Sequence, residues 1–337
     1  MGTSLLTTDF ERFRFRSLHP RLFLGTASDR YAGWIGQIYS EDRYAVSSRS
    51  KRVGGETFRE NVLPVESVEE YFQHFSVLEV DFTFYDLLLD KALQPTRTFH
   101  VLRAYSGHLS SGDRLILKAP QAVFAQKLRR GGAFVENPDY LDAEVFTRRF
   151  YEPALGLLGD ALSGFVFEQE YRRKAERGRP DVFAAALDRF FEACPDDSRY
   201  HVEVRTEAYL ASPFFEVLES RGVGQVLSHW TWLPSLEGQF RKAGRRFFNG
   251  GREAVVRLMT PRGVRYADAY KQAFPFDRMQ KGMESPGMIA DAVGIARMGL
   301  REDVRINMVV NNRAGGNAPL IARRFARSFL QRIAEDA

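Results

Sequence analysis

Acidic and basic residues alternate with apolar ones in several short segments of this chain. Glu79 and Asp81 lie two positions apart in LEVDFTFY, and Glu203 and Arg205 do so in YHVEVRT. Side chains two positions apart on a strand point to the same face, so each segment should carry its charges on one face and its apolar residues on the other. A carboxylate held in this way can donate or accept a proton during catalysis. The spacing therefore predicts Glu79 and Glu203 as candidate acid–base residues.

Basic residues occupy matching positions in two further segments. Lys118 closes the alternating set of RLILKAP, and Arg257 is the polar residue within EAVVRLM. Because a buried charge is costly unless it is paired, we expect Lys118, Arg205 and Arg257 to neutralise the carboxylates of the other segments. Three neighbouring cations would still leave donors for a substrate carboxylate or phosphate. Crowding by two guanidinium groups would also suit Lys118 to a Schiff-base or general-base role.

The same residues admit other roles. They could form a closed layer of salt bridges with no further function. Glu79 and Glu203 could be the paired carboxylates of a glycosidase. Together with Asp81, Glu168 and His229 they could also ligate a metal, but the nearby cations and the absence of an HExxH motif argue against this. We therefore expect no metal and no cofactor.

Further candidates for ligand binding end the strand segments or follow them: Trp34, Tyr85, His229, Trp230 and Asn311. The aromatic residues among them could stack on a sugar or a base, or could pack the loops together. After the last strand segment, NNRAGGNAP predicts a glycine loop and a helix start capped by Asn317. Backbone amides at that helix N-terminus could hold an anion, or the glycines could serve the turn alone.

Short apolar strands alternating with amphipathic helices would position these residues. Helical periodicity is clearest at 64–76 and in the last helix, from Ala318. This alternation predicts parallel strands with helical crossovers, and the lack of a glycine-rich dinucleotide motif after the first strand favours a closed barrel over an open sheet. We predict an α/β fold, a TIM-like (β/α)8 barrel of one domain. Its strands begin at Arg21, Val77, Arg114, Gly164, Tyr200, Val223, Glu253 and Arg305.

The predicted barrel spans 21–335 and follows an N-terminal extension, 1–20. A polar stretch at 47–61, SSRSKRVGGETFREN, contains Gly54-Gly55 and predicts a loop insertion near the mouth. It could act as a lid or be a tolerated surface loop. Its basic residues Arg49, Lys51 and Arg52 also motivate an alternative in which the protein binds or processes nucleic acid.

The composition is that of a globular protein, with 44% hydrophobic and 27% charged residues. No apolar run approaches the roughly 20 residues that span a bilayer, so we expect no membrane association. The lone Cys194 and the early charges at the N-terminus predict a reducing, cytoplasmic location. A formal charge of +5 favours acidic partners or substrates.

Several segments together resemble the domain-of-unknown-function 72 family, also called YecE-like. The resemblance runs from about Phe23 to Phe329 and rests on LGTASDRYAGWIGQIY, LEVDFTFY, LILKAP, VEVR, VVRLM and VVNNRAGGNAP. It implies a barrel whose biochemical activity is not established. The chain departs from the family pattern at Asp81, where asparagine is usual, and at Thr206 and Met259, where histidine is usual. A chemistry that depends on those histidines would be altered or absent.

From these patterns we expect an enzyme of hydrolase or lyase type that acts on a small anionic or sugar-like substrate at the mouth of the barrel. Glu79 or Glu203 would be the acid or base, and Lys118, Arg205 and Arg257 would bind charge. A nucleic-acid-binding protein and a non-catalytic binding barrel are the alternatives.

Overall fold

Twelve strands lie within residues 9–285 and 287–336, the part of the chain that this computed structural model describes. Four of them form hairpins: β2 (Ser47–Val53) with β3 (Glu56–Val62), and β6 (Lys127–Arg130) with β7 (Ala133–Glu136). The other eight form the barrel: β1 (Leu22–Ala27), β4 (Val77–Val80), β5 (Arg114–Lys118), β8 (Leu162–Glu168), β9 (Tyr200–Glu203), β10 (Gly224–His229), β11 (Glu253–Leu258) and β12 (Arg305–Val310).

The eight barrel strands are parallel and close in the order β1, β12, β11, β10, β9, β8, β5, β4. Each predicted strand segment supplies one of them. A helix follows every strand before the next one begins or, after β12, before the chain ends. The structure is therefore the predicted single-domain (β/α)8 barrel. The outer helices are Val68–His74, Arg97–Ser106, Glu152–Leu158, Pro180–Ala193, Ser212–Arg221, Leu236–Lys242, Met288–Arg301 and Ala318–Asp336.

Two further helices lie in the loops after β5 and β11: Gln121–Phe124 and Tyr266–Ala273. The helix Ala143–Phe146 continues through a π-helical segment, Thr147–Tyr151, into the outer helix Glu152–Leu158. No helix among the described residues is long and apolar enough to cross a membrane.

Alternation along the strands separates two cores. Leu78, Leu227 and Leu258 face the helices and join the large outer core. The opposite faces meet inside the barrel, where small and β-branched residues fill the space. This inner core consists of Ala27, Val77, Ile116, Val166, Val226, Val255, Met259 and Val309. The next inward position after Val77 is Glu79 and the next after Val255 is Arg257, so the charges lie just above an apolar plug.

Strand β4 is shorter than its sequence pattern. It ends at Val80, and Phe82–Phe84 form a 3-10 turn. Thr83, which strand alternation would place beside Glu79, instead donates its hydroxyl to the backbone carbonyls of Val80 and Lys118. Asp81 therefore leaves the barrel interior and accepts a hydrogen bond from Ser28 at 2.7 Å.

The polar stretch at 47–61 is an antiparallel hairpin, β2–β3, rather than an irregular loop. Its side chains dock on helix Tyr266–Ala273 and the segment after it. Val53 belongs to a small satellite core with Tyr270 and Phe276. Alternating polar residues obscured the strands because both hairpin faces are largely exposed near Gly54-Gly55.

Residues 9–20 of the predicted N-terminal extension pack against the amino-terminal end of the barrel, while residues 1–8 lie outside the described part. Phe10, Phe15 and Leu18 are buried there. Arg16 donates to Asp113, the residue before β5, at 2.7 Å. The described part of the extension thus joins the outer core beside the amino-terminal end of the barrel, opposite the charged residues.

Close approach of β1 and β4 requires glycine at position 25. A β-carbon there would fall well inside contact distance of the Val77 carbonyl oxygen. We expect Gly25→Ala to destabilise the protein by about 1–3 kcal/mol or more, because the strands cannot separate without opening the barrel. Gly156→Ala is the matched control, since Gly156 lies in a helix with no atom within 4 Å of an added β-carbon. It should be neutral or stabilise by up to about 1 kcal/mol. Equal losses of stability for the two variants in urea denaturation would contradict this expectation.

Candidate active site

Arg257 lies at the centre of the charged layer inside the barrel. Strand β11 holds it above Val255, and only 1% of its side chain is exposed. Its Nη2 donates to Glu79 Oε1 at 2.6 Å, and its Nη1 donates to Glu203 Oε2 and, at 3.3 Å, to Glu168 Oε2. One guanidinium group therefore contacts three carboxylates from three strands, β4, β8 and β9.

Glu168 is the second centre of this layer. Its Oε2 accepts hydrogen bonds from Lys118 and Arg205, both at 2.6 Å, as well as from Arg257. Burial alone would raise the pKa of Glu168, but the charges of Arg205, Lys118 and Arg257 outweigh it and hold the pKa well below its usual range. Glu168 is thus firmly ionised.

Glu79 has the opposite environment. It is fully buried, and burial raises its pKa above the usual range despite the charges of Arg257 and Lys118. Its Oε1 is bound to Arg257, whereas its Oε2 has no hydrogen-bond partner among the described residues. The structure therefore places a carboxyl group whose pKa is raised by burial close to one whose pKa is lowered by three cations.

A cavity of about 200 Å³, here called the mouth cavity, opens above these residues. Aromatic rings support its cations: Lys118 lies 4.3 Å from the centre of the Phe84 ring, and Arg205 lies 3.8 Å from that of Trp230. Several donors have no partner among the described residues: Nε and Nη1 of Arg205, Nε of Arg257, Nε of Arg313 and Nε1 of Trp230. All four of these residues belong to the wall of the mouth cavity, so cationic and indole donors that no described residue uses lie around it.

The structure brings most of the predicted site residues together. The walls of the mouth cavity contain Glu79, Asp81, Tyr85, Lys118, Arg205, Trp230, Arg257 and Asn311. Lys118 was predicted to be crowded by cations, and it also has the Glu168 carboxylate as a direct partner. Tyr85 is 65% exposed and forms part of the rim.

Three predicted residues lie elsewhere. Glu203 is fully buried beneath Arg257, pairs with it and is not among the residues that line the mouth cavity. Trp34 is fully buried, donates to Asn312 and stacks against Tyr39, which leaves no ring face for a ligand. His229 pairs in register with Leu258 and faces the helices, and burial lowers its pKa to about 4.

Two contributors were missed or misjudged from the sequence. Glu168 was considered only as a metal ligand, although it shares the inward face of β8 with Val166. Among the described residues, no three Asp, Glu, His or Cys side chains are gathered as a metal site. Arg313, just after β12, also lines the mouth cavity, with its guanidinium 4.4 Å from the Tyr266 ring. Its position in a loop gave no periodic signal.

The helix that begins at Ala318 offers little to an anion. Asn317 caps it by accepting from the Leu320 amide at 2.9 Å, as predicted. Asn312 accepts from the Ala318 amide at 2.8 Å. These side chains already satisfy two of the amides that an anion would need.

The two positions that differ from the family's usual histidines have separate environments. Met259 lines the mouth cavity and joins the inner core. Thr206 is buried and accepts a hydrogen bond from the Arg172 amide. Met259 therefore contributes to the cavity wall a thioether, which does not titrate.

Asp29, in the loop after β1, is a further buried carboxylate near the mouth. Tyr105 donates to its Oδ1 at 2.8 Å, and its Oδ2 has no partner among the described residues. Burial raises the pKa of Asp29 to about 6, although the Arg30 charge and the Tyr105 hydroxyl oppose the shift. Asp29 was not singled out from the sequence, because a residue in a loop has no periodic signal.

Comparison with known proteins gives one family. The model of the family described as "Protein of unknown function DUF72" matches residues 23–336. A crystal structure of a DUF72 family protein from Thermotoga maritima covers 92% of this chain and 99% of its own, with 15% identity and a TM-score of 0.53. One from Enterococcus faecalis covers 92% and 95%, with 13% identity and a TM-score of 0.56. These likenesses concern the fold. A search of curated proteins gives no significant match.

The variant Arg257→Met tests how much the central guanidinium group stabilises the folded protein. Arg257→Met leaves Glu79 and Glu203 buried without their main cation, and we expect a loss of about 3–5 kcal/mol in the free energy of unfolding. Adding Glu203→Gln to that variant should restore part of the loss. Arg148→Met is the control, because its pair with Glu144 is exposed and should be worth less than about 1 kcal/mol. Equal losses for the two single variants in urea denaturation would contradict this account.

The raised pKa of Asp29 predicts that the stability of the folded protein depends on pH. The folded protein binds this proton more tightly than the unfolded chain does, so its contribution favours folding at low pH and is lost as pH rises from about 4 to about 6. Asp29→Asn, which stays neutral, should be more stable than wild type above pH 6, by about 3 kcal/mol. Thermal melts across this range measure the difference. A stability difference that does not change between pH 4 and pH 7 would show that Asp29 titrates normally.

Proposed function

The chain belongs to the DUF72 family of proteins of unknown function, and we propose that it is a hydrolase that cleaves a small anionic or sugar-like substrate in the mouth cavity by general acid–base catalysis. Glu79 is the acid and Glu168 is its ionised partner. Lys118, Arg205 and Arg257 bind and orient the negative charges of Glu168 and of the substrate.

The pairing of Glu79 with Glu168 carries this proposal. Both carboxyl groups line the mouth cavity and both contact Arg257. Burial raises the pKa of Glu79, while Arg205, Lys118 and Arg257 lower that of Glu168 in spite of burial. Two carboxyl groups whose pKa values are displaced in opposite directions are suited to opposite roles in proton transfer.

In the proposed reaction, the Glu79 carboxyl group transfers its proton to the oxygen of the leaving group as the bond to that oxygen breaks. A water molecule attacks the substrate atom, and its proton passes to the Glu168 carboxylate. Exchange with solvent then returns both groups to their starting forms. Hydrolysis fits better than elimination, because a carboxylate with a low pKa is a weak base for removing a proton from carbon.

The spare donors of the cavity support an anionic substrate. Arg205 uses only Nη2 for Glu168 and Glu203, which leaves Nε and Nη1 for a ligand. Stacking on Trp230 fixes the plane of its guanidinium group. A carboxylate or phosphate could accept two parallel hydrogen bonds from such a group.

The nucleic-acid alternative has less support. Two of the three basic residues that motivated it, Arg49 and Lys51, share Glu60 as a partner, at 2.8 and 3.3 Å. The Glu60 carboxylate therefore offsets one of their two charges. A non-catalytic binding barrel would not require the pKa values of Glu79 and Glu168 to be displaced in opposite directions. Assays of activity distinguish this alternative from the proposal.

Leaving-group dependence tests the role of Glu79. We would assay 4-nitrophenyl and methyl glycosides of hexoses, hexuronic acids and 6-phosphohexoses. Glu79→Gln should lower kcat for methyl glycosides by about 10²–10⁴-fold and have much less effect on 4-nitrophenyl glycosides, because 4-nitrophenolate departs without protonation. Glu168→Gln should slow both kinds of substrate.

Glu144→Gln is the control for these assays, since Glu144 is exposed on the short helix Ala143–Phe146. Equal losses on both leaving groups for Glu79→Gln would remove it as the acid. If no compound in the panel is hydrolysed faster by wild type than by Glu168→Gln, the catalytic proposal is wrong.

A further inference from the structure

A second and larger cavity lies beside the mouth cavity. It has a volume of about 540 Å³ and is enclosed by the β2–β3 hairpin, the loop after β1 and residues 274–277. We call it the hairpin cavity. Glu79 and Asp81 line both cavities, so the proposed acid stands at the boundary between them. The volume of the hairpin cavity lies within the range of roughly 300–1,000 Å³ typical of small-molecule sites.

Asp29 lines the hairpin cavity and has one carboxylate oxygen without a partner among the described residues. Only 4% of the residue is exposed, and its position is fixed because Tyr105 donates to Oδ1 and Tyr39 donates to its backbone carbonyl at 2.9 Å. Its Oδ2 and Glu79 Oε2 both lack partners among the described residues. Buried acceptors without partners are uncommon in native proteins, and here they border an open cavity.

The remaining walls combine aromatic surface with a few polar groups. Tyr31, Phe82 and Phe276 contribute rings, and Asn61 contributes an amide from β3. The charged lining residues are of both signs: Arg30, Arg49, Arg59, Glu60 and Asp277, with Arg49 paired to Glu60. This composition differs from the mouth cavity, where unused cationic donors predominate. Aromatic faces with nearby carboxylate acceptors suit the C–H faces and hydroxyl groups of a sugar.

The hairpin holds this cavity in shape. Tyr270 donates its hydroxyl to Glu60 on β3, and Phe58 packs on Phe274 with ring centres 5.3 Å apart. Val53 joins the satellite core with Tyr270. Because apolar contacts and a buried hydrogen bond dock the hairpin, the cavity is preformed rather than dependent on closure of a loose loop.

We propose that the two cavities bind two parts of one substrate: an uncharged polyhydroxyl part, such as a hexose ring, in the hairpin cavity and an anionic group in the mouth cavity. A hydroxyl group of the sugar donates to Asp29 Oδ2, and Arg205 binds the anion. The bond to be hydrolysed then lies beside Glu79. This inference rests on the proposed function and names its substrate class.

Calorimetric titration tests the two-part site with defined probes: inorganic phosphate, the free hexoses glucose, galactose and mannose, and their 6-phosphates. In wild type, at least one hexose 6-phosphate should bind at least tenfold more tightly than inorganic phosphate. Once the phosphate group is bound, the sugar ring is already held next to the hairpin cavity, so its binding costs less entropy. Asp29→Asn should weaken that hexose 6-phosphate about tenfold and leave inorganic phosphate unchanged. Arg205→Gln should weaken both phosphates and leave the free hexose unchanged.

Glu144→Gln again provides the control and should match wild type for every probe. The inference is overturned if no hexose 6-phosphate binds more tightly than inorganic phosphate, or if Asp29→Asn weakens both ligands equally. Failure of the mouth site gives a different result: inorganic phosphate would not bind, or Arg205→Gln would not affect it. A free hexose whose binding still depended on Asp29 would then support the hairpin cavity on its own.

Discussion

The charged layer depends on Arg257, because one buried guanidinium group must compensate carboxylates from three strands. Glu168 and Glu203 are direct neighbours in the register of β8 and β9, so their like charges would repel without it. Lys118 and Arg205 complete the compensation from β5 and the end of β9. Such a layer is costly to bury and gains little stability over apolar packing, so its presence at the mouth calls for a functional explanation.

The apolar plug determines the direction in which the charged side chains extend. Val77, Val255 and the other inner residues close the barrel below the charges, so the charged side chains can extend only toward the carboxyl ends of the strands. The N-terminal segment packs beside the opposite end, where Arg16 donates to Asp113. Solvent and ligands therefore reach the layer from one side, and a low-dielectric floor strengthens the interactions among its charges.

Much of the fold was predictable, since the alternation of apolar and polar residues marks all eight barrel strands and places Glu79, Lys118 and Arg257 on their inner faces. The site was predictable only in part. Two-residue periodicity tells which face a side chain occupies but not its height in the barrel. Glu203 lies under Arg257 while Glu168 reaches the cavity, and that difference depends on register between strands, which one sequence does not reveal.

Loops were harder to predict than strands for a physical reason. Trp34 and Asp29 follow the same strand, yet the tryptophan is packed against Tyr39 while the aspartate faces a cavity, and no periodicity distinguishes them. The hairpin was read as a loop because its contacts with Tyr270 are distant in sequence.

Unpartnered atoms at the mouth link stability to function. Glu79 Oε2, Asp29 Oδ2 and Arg205 Nη1 are buried without hydrogen-bond partners among the described residues, although a folded protein gains stability by satisfying such groups. Two of them are acceptors and one is a cationic donor. The proposed substrate, with hydroxyl groups at one end and an anion at the other, would give both kinds of group a partner at once.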